Sequence, residues 1–358
     1  MRPLRICLIA SSRFPVAEPF VGGLEAHTYS LVRELLARGH EVSLFAGPGS
    51  DPSLGARQLD VESVAISPVA RADVSAGPEE WMREHHAYLS LMLDLARSGR
   101  ERFDVVHNNS LHHLPIAMAA ALAVPMLTTL HTPPTPWLES AITLAANESQ
   151  FVSVSAQTAR AWAHATTSTV VLNGVDVTRR QAGPGGPRAI WYGRFVPEKA
   201  PHLAIRAALL AGIAIDLAGP ILDVAYYSQH IQPLLGDEVR YLGHLTHSQL
   251  TAAVGHACVT FVTPQWDEPY GLIAAESLAC GTPVAAFARG ALPEILDDSC
   301  GRLAPPGDVL GLARAAREAR YLSRGAARAR AIHFCSLDRM VTEYEEIYSG
   351  ISFGQRAA

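Results

Sequence analysis

Short apolar runs recur along the first half of the chain and are separated by longer stretches of mixed polarity. Leu4–Ala10, Val42–Ala46, Phe103–His107, Met126–Leu130, Phe151–Val154 and Val170–Leu172 have the length and continuity of buried parallel strands. Between them, Glu25–Arg38 carries apolar residues near helical spacing and is followed by Gly39 as a stop. Strands alternating with helices predict a layered α/β fold with parallel order. The most apolar stretch, Leu114–Leu130, contains Pro115 and Pro125. It is shorter than the ~20 residues that span a bilayer, so it reads as a helix followed by a buried strand.

The segment Thr178–Pro187 has glycines and prolines but only alanine for apolar content, the signature of a flexible linker. After it the rhythm restarts. Strands are expected at Arg188–Tyr192, Ala214–Ala218, Val239–Leu242, Cys258–Val262 and Pro283–Phe287. Helices are expected at Ala200–Leu210, Ser248–Val254, Tyr270–Ala279 and Val309–Tyr321, with an amphipathic tail at Ser336–Tyr348. A chain of 358 residues exceeds what one core usually organises. The expected division is therefore two Rossmann-like halves, 1–177 and 188–335, a linker at 178–187, and a C-terminal helix within 336–358.

Composition narrows the classes. A hydrophobic fraction of 49% and a charged fraction of 18% are those of a globular protein. A net charge of −5 argues against a nucleic-acid partner, which calls for a basic excess. Cys7, Cys258, Cys280, Cys300 and Cys335 form no C-x-x-C pair and read as buried thiols of a reducing compartment. The first apolar run ends at Ala10, too short for a signal peptide, so a cytoplasmic location is expected. There the Asn147-Glu148-Ser149 sequon would go unused.

Ligands of open α/β sheets sit beyond the carboxyl ends of the strands, so residues just after strands carry the candidate chemistry. Glu268 and Glu276 bracket seven residues after the strand Cys258–Val262. On a helix their eight-residue step leaves them ~80° apart. Glu268 is expected in the loop and Glu276 about two turns into the helix, with the amides of Gly271 and Leu272 exposed at its start as anion donors. Read plainly, the same two residues are a helix-end charge and a solvated carboxylate. As a glycosidase pair they fit poorly, because the step is ~12 Å against separations of about 5–9.5 Å.

In Gly193–Lys199, directly after a strand, Arg194 and Lys199 can cradle a diphosphate, or can be ordinary loop cations. Gly22-Gly23 lets backbone approach a bulky anion, or is a turn. His131 follows the strand Met126–Leu130 and can meet a substrate hydroxyl, or be structural. His85-His86, His107, His112 and His113 lack a recognised metal-ligand spacing, and there is no D-x-D tripeptide, so no metal is expected.

Taken in order, these features resemble family 4 of the glycosyltransferases, the retaining enzymes of the GT-B fold, along nearly the whole chain. The resemblance rests on G-G-x-E at Gly22–Glu25, His131-Thr132, N-G-V-D at Asn173–Asp176 and G-R-x4-K at Gly193–Lys199. It continues through Leu242-Gly243, E-x7-E at Glu268–Glu276, Gly281–Val284, and G-x-x-P-E at Gly290–Glu294. It implies that Arg194 and Lys199 bind a donor diphosphate, with Glu276 on the ribose. Glu268 and the amides of Tyr270, Gly271 and Leu272 would hold the transferred sugar. It also implies that His131 contacts that sugar from the other half, Gly22 and Gly23 admit the diphosphate, and backbone near Leu242 faces the base. The tail helix would cross back onto the first half.

The implied activity is metal-independent, front-face transfer from a nucleotide-diphosphate sugar to a hydroxyl acceptor, UDP-sugar first and GDP-sugar next, with no cofactor. Catalytic roles would fall to Glu268, His131, Arg194 and Lys199, with no side chain as nucleophile or general base. Ala291 stands where the family commonly has a second glycine, which alters the lining near donor or acceptor. A nucleotide-sugar 2-epimerase or a non-catalytic scaffold of the same fold remain alternatives. Glu79–Arg97 mixes acids with Arg83 and Arg97 and makes a poor membrane face, though peripheral contact stays open. Abundant alanine and arginine hint at a bacterial source.

Overall fold

The computed structural model describes residues 2–145 and 149–354. Asn147 and Glu148 of the sequon lie outside them.

The first half holds strands β1 (Arg5–Ile9), β2 (Glu41–Phe45), β3 (Arg57–Leu59), β4 (Val105–Asn108), β5 (Met126–Leu130), β6 (Gln150–Ser153) and β7 (Thr169–Val170). The second holds β8 (Ala189–Tyr192), β9 (Ile215–Ala218), β10 (Val239–Tyr241), β11 (Thr260–Val262), β12 (Val284–Phe287) and β13 (Gly301–Ala304). The first sheet runs β3-β2-β1-β4-β5-β6-β7 and the second β10-β9-β8-β11-β12-β13. Every strand pairing is parallel. Order reverses between β1 and β4 in one sheet and between β8 and β11 in the other, the two points where such sheets open a crevice.

The helices are α1 (Gly23–Ala37), α2 (Pro68–Arg71), α3 (Glu79–Arg102), α4 (His113–Ala117), α5 (Pro136–Leu144), α6 (Ala156–Trp162) and α7 (Pro201–Ala211). They continue with α8 (Val224–His230), α9 (His247–Gly255), α10 (Leu272–Ala279), α11 (Leu292–Ile295), α12 (Val309–Ala319), α13 (Arg324–Phe334) and α14 (Leu337–Gly354). On α3 the residues Ala87, Tyr88, Leu91, Met92 and Leu95 are buried, one stripe at helical spacing. The strands β4, β5, β8 and β12 are buried throughout, as a sheet covered on both faces requires.

The helix expected at Ser336–Tyr348 is α14, and it packs on the first sheet. Met340, Val341, Tyr344 and Tyr348 join Leu31, Leu35 and Leu127 in one core. Tyr348 Oη meets His107 Nδ1 at 2.6 Å, Tyr344 Oη meets Thr129 Oγ1 at 3.1 Å, and Glu345 bridges His40 at 2.8 Å and Arg38 at 2.6 Å. The polar partners satisfy groups that the apolar face carries into the interior.

Two expectations are corrected. The segment Thr178–Pro187 is docked rather than loose. Gly183 N donates to Cys280 O at 3.1 Å and Gly185 N to Gly255 O at 2.9 Å, while Arg324 Nε holds Gly183 O at 3.0 Å. A Cβ on Gly183 would lie 2.2 Å from Gly255 O, so the close approach needs glycine. Two edge strands, β3 and β13, and the helix α13 were also absent from the expected set.

A cleft site at the carboxyl ends of both sheets

A cavity of about 700 Å³ opens between the two halves. Gly22, Gly23, Glu25, His27, His112, His131 and Thr132 line it from the first half. Arg194, Lys199, Gly219, Glu268, Gly271, Leu272 and Glu276 line it from the second. The two walls nearly touch, since a Cβ on Gly23 would lie 3.1 Å from Leu272 Cδ1.

On the second wall, β8 ends at Tyr192 and releases Gly193-Arg194, while β11 ends at Val262 and releases the loop that carries Glu268. Lys199 Nζ donates to Glu268 Oε2 at 2.7 Å and lies 5.3 Å from the centroid of the Trp266 ring. The pair is mostly buried, which strengthens the charge-assisted bond. Gly290 makes the loop possible. It has φ +56°, and a Cβ there would sit 2.1 Å from Glu268 O. Arg194 is held more loosely. Its side chain is 40% exposed, with Glu198 at 4.0 Å. It is the cation on this wall best placed to take a new anion.

Helix α10 begins at Leu272 behind Gly271, which has φ +100°, and no side chain caps that end. Its first amides therefore lack intrahelical acceptors and face the cavity with the positive end of the helix. Glu276 sits one turn in rather than two, because the helix starts later than expected. Most of α10 is apolar and buried, so a carboxylate there needs a partner. Arg180 supplies it, with Nη2 bonded to Glu276 Oε1. Arg180 is 6% exposed and its Nη1 has no partner within the protein.

On the first wall, adjacent strands β4 and β5 end side by side and set Asn109 next to His131. His131 Nε2 meets Asn109 Oδ1 at 2.8 Å, and the His27 ring lies against His131 with centroids 5.1 Å apart. Burial holds His131 well below the ordinary histidine value, and His27 and His107 add to this. It is neutral near pH 7 and can both donate and accept. Glu25 is pushed up from the usual carboxylate value by burial, against its backbone bonds and Arg194. Several buried polar atoms here have no protein partner: both His27 ring nitrogens, Asn109 Nδ2, Thr132 Oγ1 and Asn173 Oδ1. Orphaned donors and acceptors around a cavity fit a ligand rich in hydroxyls.

The structure brings Gly22, Gly23, His131, Arg194, Lys199, Glu268, Tyr270, Gly271, Leu272 and Glu276 to one cavity. Leu242 is not among its lining; its amide is tied to Leu217 O at 2.8 Å, and His244 and Leu245 border the cavity instead. Tyr270 offers only backbone, because its side chain is buried in the core of the second half. Arg180 escaped sequence reasoning because it stands in a stretch read as linker.

Two motif residues have structural work. Glu294 accepts from Ala156 N at 3.0 Å and Gln157 N at 2.7 Å, capping α6 across the interface. Asp176 accepts from Thr178 N at 2.9 Å and pairs with Arg33. The histidines that lack a metal-ligand spacing in the sequence come together in space. His85, His112 and His113 bring ligating nitrogens within 4.8 Å of one another, because α3 and the start of α4 pack together.

Residues 21–179 match the family described as Glycosyltransferase Family 4, and residues 178–331 match Glycosyl transferases group 1. Together these two matches take in most of the chain, with one glycosyltransferase model on each half. A glycogen synthase of Mycobacterium tuberculosis is 29% identical, over 88% of this chain and 85% of that protein. A D-inositol 3-phosphate glycosyltransferase of Mycobacterium avium is 29% identical, over 91% of this chain and 89% of that protein.

Among solved structures, HepE of Anabaena in complex with UDP-glucose superimposes with a TM-score of 0.74 at 16% identity, over 97% of this chain and 100% of that one. A sucrose-phosphate synthase of Thermosynechococcus elongatus gives 0.75 at 20% identity, over 96% and 98%. The fold is GT-B, and the chain is a glycosyltransferase. Among the described residues, no helix is long and apolar enough to cross a membrane.

Proposed function

We propose that this chain is a retaining glycosyltransferase that moves a hexose from a nucleoside-diphosphate donor, UDP-sugar before GDP-sugar, to an acceptor hydroxyl. The observation that carries this reading is the pairing of two walls across one cavity. Cations and helix amides stand on one wall (Arg194, Lys199, the start of α10), and a neutral His131 stands on the other. Residues 188–335 form the donor side, 1–177 the acceptor side, and 178–187 join them. HepE was solved with UDP-glucose, and its shared fold supports a diphosphate donor in this cleft.

Transfer breaks the anomeric C–O bond and gathers charge on the departing diphosphate. Arg194, Lys199 and the amides of Gly271 and Leu272 lie where fixed positive charge stabilises it, without a metal at the diphosphate. Glu268, already oriented by Lys199, accepts hydroxyls of the sugar; His131 takes another from the opposite wall. Glu276, held by Arg180, meets the ribose. With the acceptor hydroxyl on the face from which the diphosphate leaves, the configuration is retained, and the diphosphate oxygen takes the proton.

A thermal-shift series with UDP, GDP, ADP and dTDP tests the donor site. A diphosphate at a hundred times its dissociation constant stabilises by about 2.7 kcal/mol. A rise with UDP that is lost in Arg194→Ala is expected, and Glu268→Ala should keep the rise while losing transfer. No rise with any diphosphate would overturn the reading.

A further inference from the structure

Beside the cleft, α3 and the N-terminus of α4 bring together side chains far apart in sequence. Trp81, His85 and Tyr88 share one face of α3, while His112 caps α4 and His113 begins it. Each imidazole has an aromatic ring against it. Trp81 stacks on His85 with centroids 5.4 Å apart, Tyr88 on His112 at 4.2 Å, and Trp137 on His113 at 4.9 Å. These contacts hold the rings close to one another before any ligand arrives.

The ligating nitrogens of His85, His112 and His113 all lie within 4.8 Å of one another. In a tetrahedral site with metal–nitrogen bonds of about 2.0–2.1 Å, neighbouring nitrogens stand about 3.4 Å apart. Small rotations of the side chains close that gap. A second observation points to a ligand: His85 Nδ1 is buried with no hydrogen-bond partner. His112 Nδ1 accepts from Leu114 N at 3.2 Å, so this ring ligates an ion only by giving up that bond, either at Nδ1 itself or at Nε2 after the proton moves to Nδ1.

We propose that His85, His112 and His113 form a binding site for a divalent transition-metal ion of the kind that prefers imidazole, Zn²⁺ above all. Three protein ligands leave a coordination position for water or a hydroxyl. His112 also lines the cleft, so the ion borders the acceptor side. This site is separate from the diphosphate wall and independent of the proposed donor chemistry. By joining α3 to α4, the ion stabilises the folded chain, because the unfolded chain does not hold the three rings together.

The test uses the full chain, tag-free and stripped with EDTA, titrated with Co²⁺ and then Zn²⁺. One equivalent of Co²⁺ should give visible d–d absorption that Zn²⁺ displaces, and the melting temperature should rise with Zn²⁺. His85→Ala with His113→Ala should weaken Zn²⁺ binding at least about 100-fold, since ligand loss exceeds the 10–100-fold of outer-shell changes. His85→Gln, which keeps size and polarity, serves if the double variant does not fold. Absence of one-to-one saturable uptake by the unaltered chain overturns the proposal. So does binding by the variants as tight as that of the unaltered chain.

Discussion

Arg180 and Glu276 are taken out of water together, and each is what makes the other tolerable. Removing one partner of such a pair leaves a buried charge and costs about 3–5 kcal/mol. Arg180→Ala should therefore lower stability by that amount and weaken diphosphate binding, whereas Arg180→Met with Glu276→Leu should recover much of the stability and none of the binding. A denaturant series on the single and double variants, with nucleotide titration, checks both. The buried imidazoles act on the same scale. Burial takes His27 down to about 4 and His107 to about 3. Below the ordinary value near 6.5 the unfolded chain binds protons that the folded chain refuses, so stability falls with pH. Between pH 6.5 and 4, His27 alone should remove on the order of 3 kcal/mol. Urea midpoints at pH 7, 6 and 5 should decline, and less steeply in His27→Gln; flat midpoints would refute this.

At the scale of elements, strands buried on both faces were legible because apolar residues dominate their runs even where His107 or Thr128-Thr129 interrupt them. Val42–Ala46 became Glu41–Phe45 and Arg188–Tyr192 became Ala189–Tyr192, shifts of a residue at the ends. What escaped has a physical signature of its own. β3 reads RQL and β13 reads GRLA, edge strands with one neighbour and too little apolar content to announce themselves. α13 alternates arginine with alanine, and its Arg328 bonds the carbonyls of Arg180 and Val177, contacts that no local pattern encodes. The candidate site was readable where a residue follows a strand, as Arg194, His131 and Glu268 do. It was unreadable where function depends on a distant partner, as at Arg180 and the histidine trio. Helix α14 yields an element-scale prediction. Truncating the chain after Cys335 strips Met340, Tyr344 and Tyr348 from the first core and leaves His107 Nδ1 unpartnered. Each large side chain contributes about 2–5 kcal/mol, so the first sheet should lose cooperative unfolding in a calorimetric scan. Full retention of its transition would show that the helix is accessory.

Across the whole molecule the two halves meet through few but specific groups. Ser155 Oγ donates to Pro269 O at 2.6 Å and Thr158 Oγ1 to the same oxygen at 3.0 Å, beside the Glu294 cap on α6. These bonds join the first half to the loop that follows Glu268, so the geometry of the cleft is set partly from outside it. The chain passes between halves twice, after Asp176 and again before α14, and the two passages lie against each other. Val175 N donates to Cys335 O at 2.7 Å and Leu337 N to Val175 O at 3.0 Å. Gly174 permits it, since a Cβ there would come within 2.5 Å of the Leu337 backbone. Two crossings fastened side by side behave as a single pivot. One tether would leave the halves free to slide and tumble, whereas a double one leaves chiefly rotation about a line through it. Gly174→Ala should loosen this pivot and change kcat and KM together while His131, Arg194 and Glu268 stay in place. If steady-state kinetics of that variant match the unaltered enzyme, the pivot lies elsewhere. The return of the chain through α14 should thus act as bearing as well as buttress, and any opening or closing of the cleft should follow one principal rotation.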